Sequence, residues 1–149
     1  MNPVDTIDSV LKLKGRQVWS IEPTATVYEA IEKMSTRSVG ALPVLAAGKL
    51  VGIISERDYA RKVILKERSS KHTEVREIMT CPVISVTPKH TVEECMRTIT
   101  EHRIRHLPVM EGERLAGIIS IGDLENWIIT AHEETIGHLQ NYIEGRYPA

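Results

Sequence analysis

The sequence predicts an α/β (α+β) fold made of two copies of one strand–helix–strand–strand–helix unit, related by a pseudo-twofold axis. Three observations carry that prediction. Laid over each other without a gap at a spacing of 65 residues, 20–60 and 85–125 agree at fourteen of 41 positions. Average residue usage would give roughly two or three such matches by chance. Each copy is too short to bury its hydrophobic face alone, so the two must pack together. Within each copy the apolar pattern changes from helical spacing to near-continuous runs, which marks a helix followed by strands.

The elements follow in order. Val4, Ile7, Val10 and Leu11 predict an amphipathic helix within 1–15. Copy one (16–65) opens with the apolar stretch 18–21 and copy two (78–130) with 83–86, each followed by a proline, Pro23 or Pro88. Thr26-Val27-Tyr28-Glu29 and Thr91-Val92-Glu93-Glu94 are Thr-x-x-Glu capping boxes, in which Thr accepts from the N3 amide and Glu reaches back to the cap amide. Apolar stripes follow: Val27, Ala30, Ile31 and Met34, then Val92, Cys95, Met96 and Ile99. Cys95, opposite Ala30 in the repeat, reads as a small core residue. Leu42-Pro43-Val44-Leu45 and Leu107-Pro108-Val109-Met110 predict short strands, with proline at a strand start or edge. Turns at 46–49 and 111–114 lead to strands 50–55 and 115–120, expected to be buried on both faces. A second helix is expected to start near Asp58 and Asp123. Residues 66–77 read as a charged connector. Trp127, Ile128, Ile136, Leu139 and Ile143 predict a long or broken last helix, continuing into an extension over 131–149. The terminal helices are expected to cover an edge of the module or a partner subunit.

The chain's 149 residues suit one compact domain, and its 19 basic and 20 acidic residues leave no broad basic surface for a nucleic-acid backbone. Met1 to Leu13 carries Asp5 and Asp8 and no long apolar run, so a signal peptide or membrane span is not expected. Two cysteines, Cys81 and Cys95, make no disulfide framework, and a cytoplasmic protein is expected.

The chemistry centres on Gly52-Ile53-Ile54-Ser55-Glu56-Arg57-Asp58 and Gly117-Ile118-Ile119-Ser120-Ile121-Gly122-Asp123. Ser followed by Asp three residues on can simply cap a helix. The same strand-to-helix turn also presents amides and a hydroxyl to a cleft. An Asp there would repel phosphate but accept from a sugar diol, as acidic residues do for ribose in dinucleotide folds. Any phosphate would then need basic neighbours: Arg57 in copy one, and Arg105-His106 just before Leu107-Pro108 in copy two. Capping does not explain those neighbours.

The paired Leu-Pro-Val and Gly-Ile-Ile-Ser-x-x-Asp motifs, with their contexts Val39-Gly40-Ala41 and Ile104-Arg105-His106, resemble a tandem pair of CBS (cystathionine-β-synthase) domains, or Bateman module. The resemblance covers about 18–125. It implies a βαββα unit per copy, packed through the sheets, and regulatory binding of AMP, ADP or ATP, with NAD or S-adenosylmethionine as alternatives. Carried over by position, one site would use Ser55, Arg57 and Asp58 with Val39, Gly40 and Ala41. The other would use Ser120 and Asp123 with Ile104, Arg105 and His106. The opposite copy's first strand would line the adenine, through Trp19 in one site and Ile84 in the other, and Lys14 is a further candidate. Because Gly122 stands opposite Arg57, and Gly40-Ala41 opposite Arg105-His106, the two sites are expected to differ in phosphate contacts. A homodimer is implied as well, with an unidentified protein target.

Other chemistries find little support. His102 and His106 have helical metal-ligand spacing, but His106 aligns with the strand edge at Ala41, and no third Cys, His or acid stands nearby at good spacing. No dinucleotide fingerprint, Walker motif or nucleophile elbow is present. No catalytic cofactor or enzyme activity is therefore expected. The competing reading is an interaction subunit with vestigial nucleotide sites.

Overall fold

The computed structural model describes residues 5–131. Helix α1 (Ile7–Lys14) precedes copy one, which holds α2 (Val27–Arg37), β1 (Ala41–Ala46), β2 (Lys49–Ser55) and α3 (Glu56–Lys62). The short α4 (Val75–Ile78) lies in the connector, and copy two holds α5 (Val92–His102), β3 (His106–Glu111), β4 (Arg114–Ser120) and a last helix, α6, over 121–131. The expected helical extension, with Ile136, Leu139 and Ile143, lies outside the described residues, as does Val4.

Both Thr-x-x-Glu boxes form, with Thr26 accepting from the Glu29 amide and Thr91 from the Glu94 amide. Each helix ends on a left-handed residue, Ser38 or Arg103, which turns the chain into the next strand. The hairpins β1–β2 and β3–β4 are antiparallel two-residue loops with matching registers, Ala46↔Lys49 and Glu111↔Arg114. Positive φ at Ala47 and Gly48 in one, and at Gly112 in the other, supplies the primed turns that such hairpins need.

The expected first strand of each copy shrinks to one parallel bridge, Ile21↔Val44 and Val86↔Val109. Ile21 donates to Pro43 O at 3.0 Å and accepts from Leu45 N at 2.9 Å. The next donors along the ladder would be the nitrogens of Pro43 on one side and Pro23 on the other, and proline has no N–H. Pro108 and Pro88 truncate copy two in the same way.

The long strands are not buried on both faces. Ile54 and Ile119 are fully buried, whereas Ile53 and Ile118 are half-buried, because their face looks into the space between the copies. Strands β2 and β4 touch across that space. The second helices begin at Glu56 and residue 121, earlier than expected, because Ser55 and Ser120 are the caps and each Asp stands at N3.

Two cores result, and each borrows a helix. Val27, Ala30, Met34, Leu42, Val44 and Ile54 pack with Val75 and Ile78 of α4. Val92, Cys95, Ile99, Leu107, Val109 and Ile119 pack with Ile7, Val10 and Leu11 of α1. The N-terminal helix thus completes the core of copy two, while the connector completes copy one. Their seating is equivalent: Ile7 N donates to His90 O at 2.8 Å, and Val75 N to Ala25 O at 2.8 Å. The matched glycines of the repeat make room for them. A Cβ at Gly52 would stand 2.5 Å from Met79 Sδ, and one at Gly117 2.7 Å from Leu11 Cδ2.

Candidate ligand-binding clefts

Two clefts open between the copies, each edged by one Ser-x-x-Asp turn. Cleft one encloses 580 Å³ beside Ser55 and Asp58, and cleft two 390 Å³ beside Ser120 and Asp123. Both volumes fall within the range of small-molecule sites, about 300–1,000 Å³. Gly40 and His106 line both clefts, so the two meet there.

In cleft one the Ser55 amide and hydroxyl donate to Asp58 Oδ2 at 2.9 and 3.0 Å, and the Asp58 amide donates to Ser55 Oγ at 3.2 Å. The other carboxylate oxygen accepts from the Thr80 hydroxyl at 3.2 Å and pairs with Lys62 Nζ at 3.1 Å. Asp58 is buried, and these bonds replace the water its carboxylate gives up. The facing wall belongs to copy two: Ile84, Ile104, Arg105 and His106. Arg57 reaches across and donates to the Arg103 carbonyl at 2.9 Å, and Arg61 and Arg103 complete the lining.

In cleft two the Ser120 amide donates to Asp123 Oδ2 at 2.8 Å and the Asp123 amide to Ser120 Oγ at 3.1 Å. Lys14, at the end of α1, pairs with Asp123 at 2.5 Å and donates to Ile118 O at 2.7 Å. Burial pushes the Asp123 carboxyl up, but the Lys14 ammonium and the Ser120 bonds outweigh it and hold the group below its ordinary value. The facing wall is Trp19, Val39 and Ala41 of copy one. The Arg37 guanidinium sits over the Trp19 ring, 3.9 Å from its centroid.

His106, between the clefts, titrates below its ordinary value. Burial is the largest cause, the charges of Lys14, Arg105 and Arg57 add to it, and Asp123 opposes.

All fourteen residues singled out from the sequence line one cleft or the other. The expected pairing of loops with Ser-x-x-Asp turns, however, is crossed. Ile104, Arg105 and His106 face Ser55 and Asp58, whereas Val39 and Ala41 face Ser120 and Asp123. The Gly40 carbonyl accepts from Glu56 N at 3.1 Å and the Arg105 carbonyl from Ile121 N at 2.8 Å. Each loop thus commits its backbone to its own copy and turns its side chains toward the other. Trp19 and Ile84 line the cleft of the opposite copy's turn. Sequence reasoning missed Thr80 and Lys62, which hold Asp58. Lys62 had a signal, the i,i+4 spacing from an acid on a helix; Thr80 had none, having no counterpart in the repeat. His102 ends α5 and His106 opens β3.

Comparison with known proteins agrees with this architecture. A mitochondrial CBS domain-containing protein of Arabidopsis thaliana is 41% identical over 152 residues, spanning 95% of this chain and 73% of that protein. A CBS domain-containing protein of Bacillus subtilis is 33% identical over 118 residues, spanning 79% of this chain and 84% of the relative. A solved CBS-domain structure from Burkholderia ambifaria MC40-6 is 48% identical, with a TM-score of 0.81 over 84% of this chain and 94% of that one. Among the described residues no helix is long and apolar enough to cross a membrane. The CBS-domain family model matches twice, at 10–65 and 75–130, and the chain belongs to that family as a tandem pair of CBS domains.

Proposed function

We propose that this CBS pair is a regulatory module that binds an adenosine-containing nucleotide, AMP, ADP or ATP, between its copies and passes occupancy on to a partner. One observation carries the reading: a satisfied carboxylate, an apolar wall and a set of cations converge on one cleft from both copies. Asp58 and Ser55 suit a ribose diol. Ile84 and Ile104 offer a face to a base, and Arg57 and Arg105 bring positive charge for phosphate. A ligand that touches both copies can bias their relative placement, which is the physical requirement for a sensor. NAD and S-adenosylmethionine carry the same adenosine and are the alternatives. The reading needs a compartment that holds nucleotides and is neutral between cytoplasm and mitochondrion. A homodimer would give the switch a second surface to act on.

The competing reading is an interaction subunit whose turns act only as helix caps. It is favoured by the in-chain bonds that already occupy Asp58 and by the Lys14 ammonium seated on Asp123.

A thermal-shift panel with AMP, ADP, ATP, NAD⁺, NADH and S-adenosylmethionine separates the two. A ligand at 100 times its dissociation constant adds about 2.7 kcal/mol of stability. The sensor reading expects such a shift from at least one compound, weakened in Asp58→Asn or Asp123→Asn, which keep a capping acceptor. No shift from any of the six at millimolar concentration would favour the interaction subunit.

A further inference from the structure

The two clefts differ sharply in charge. Cleft one is lined by five side-chain cations against two carboxylates, Glu56 and Asp58, a formal surplus of three positive charges in a chain whose net charge is −1. Cleft two has one cation, Lys14, and one carboxylate, Asp123, already joined to each other. Lys62 in cleft one is paired with Asp58, and Arg57 is held by the Arg103 carbonyl. The side chains of Arg61, Arg103 and Arg105 make no hydrogen bond or ion pair among the described residues. Three guanidiniums from two copies therefore face one enclosure in which the Glu56 carboxylate is the one acid not already paired, and each raises the electrostatic cost of the others. A bound polyanion would remove that cost.

The crossed pairing of the loops creates this asymmetry. It brings Arg105 from copy two to the same cleft as Arg57 and Arg61 from copy one, and leaves the uncharged Val39 and Ala41 to cleft two. We infer that cleft one is a polyphosphate site. It selects nucleoside di- and triphosphates over monophosphates through Arg61, Arg103 and Arg105, whereas cleft two admits only a ligand part of low charge. This rests on the adenosine-binding reading and narrows it for one cleft.

The three arginines are exposed, so each phosphate contact is screened and its gain is modest. Trp19 lines cleft two and not cleft one, so its fluorescence reports the second cleft while calorimetry reports both.

The test is magnesium-free calorimetry of the whole chain with adenosine, AMP, ADP, ATP and inorganic tripolyphosphate, at low and high salt. The expected result is an affinity ladder with ATP about tenfold or more tighter than AMP. The salt dependence should be steeper for ATP than for AMP. The triple variant Arg61→Gln, Arg103→Gln, Arg105→Gln should flatten the ladder, weakening ATP more than AMP. Equal wild-type affinities for AMP and ATP, or a ladder that survives the triple change, would overturn the inference. Should that variant fold poorly, the wild-type salt slopes decide alone, and equal slopes count against it. Tripolyphosphate binding without adenosine or AMP binding would keep the polyanion site and remove the adenosine reading. AMP binding without a phosphate preference would do the reverse.

Discussion

His106 stands where the two clefts meet, and its protonation ties pH to both stability and binding. Its folded value lies below 6.5, chiefly through burial and then through Lys14, Arg105 and Arg57. In the window between that folded value and 6.5 the unfolded chain binds the extra proton and the folded chain does not. Stability from this site is therefore complete above the window and falls as pH drops through it. Urea denaturation of the unliganded protein from pH 8 to pH 5 should show that loss, and His106→Gln should remove this component of the slope. A slope identical in the variant would mean that folding leaves the proton equilibrium of His106 unshifted, against this account. An anion bound in cleft one would favour the imidazolium, so nucleotide affinity should rise as pH falls through the same window. Asp123 works in the same direction at lower pH: its depressed carboxyl contributes stability above its ordinary value, lost as pH falls through the folded one. At this scale the site's membership was legible in the motifs, because Ser and Asp at N-cap and N3 must sit at a strand-to-helix turn. Its pairing was not legible, because the direction of the Arg105 side chain depends on where its carbonyl is anchored.

Among the elements, the exchange of helices is the feature that the repeat concealed. Ile7 of α1 and Val75 of α4 occupy equivalent seats, yet they are 68 residues apart, whereas the motifs repeat at 65. A comparison in one fixed register therefore passes over them. The glycines in the motif carried the missing clue, since a small residue in a buried strand marks a close approach. Adding a methyl at Gly117 should cost about 1–3 kcal/mol, because the buried Leu11 cannot move away. Gly52→Ala should cost less, because Met79 is half-buried and flexible. Denaturant midpoints of the two variants check the order, and the reverse order would contradict this packing. Leu11→Ala should cost about 2–5 kcal/mol. Its local effect should appear as faster hydrogen exchange in β3 and β4 of copy two, not in β1 and β2 of copy one, although Leu11 precedes copy one in the chain. The first strands show a second limit of pattern reading: apolar composition predicts them, but Pro23 and Pro43, and Pro88 and Pro108, remove the N–H donors that would extend their ladders.

For the whole molecule, duplication is what makes a binding site possible. Neither copy alone closes a cleft: Asp58 comes from copy one and Ile104 to His106 from copy two, with the reverse arrangement at Asp123. The fold was legible because duplication repeats every local signal, and each capping box and hairpin appears twice. The charge asymmetry was legible only as the presence of Arg57 and Arg105-His106, since their convergence on one cleft needs the three-dimensional arrangement. The most direct measurement of the central claim is an amide chemical-shift titration of the intact chain with ATP. The account predicts saturable shifts that appear together at Ser55–Asp58 and at Ile84 and Ile104–His106, and that fade in Asp58→Asn. No shifts at millimolar ATP, or shifts confined to one copy, would contradict it.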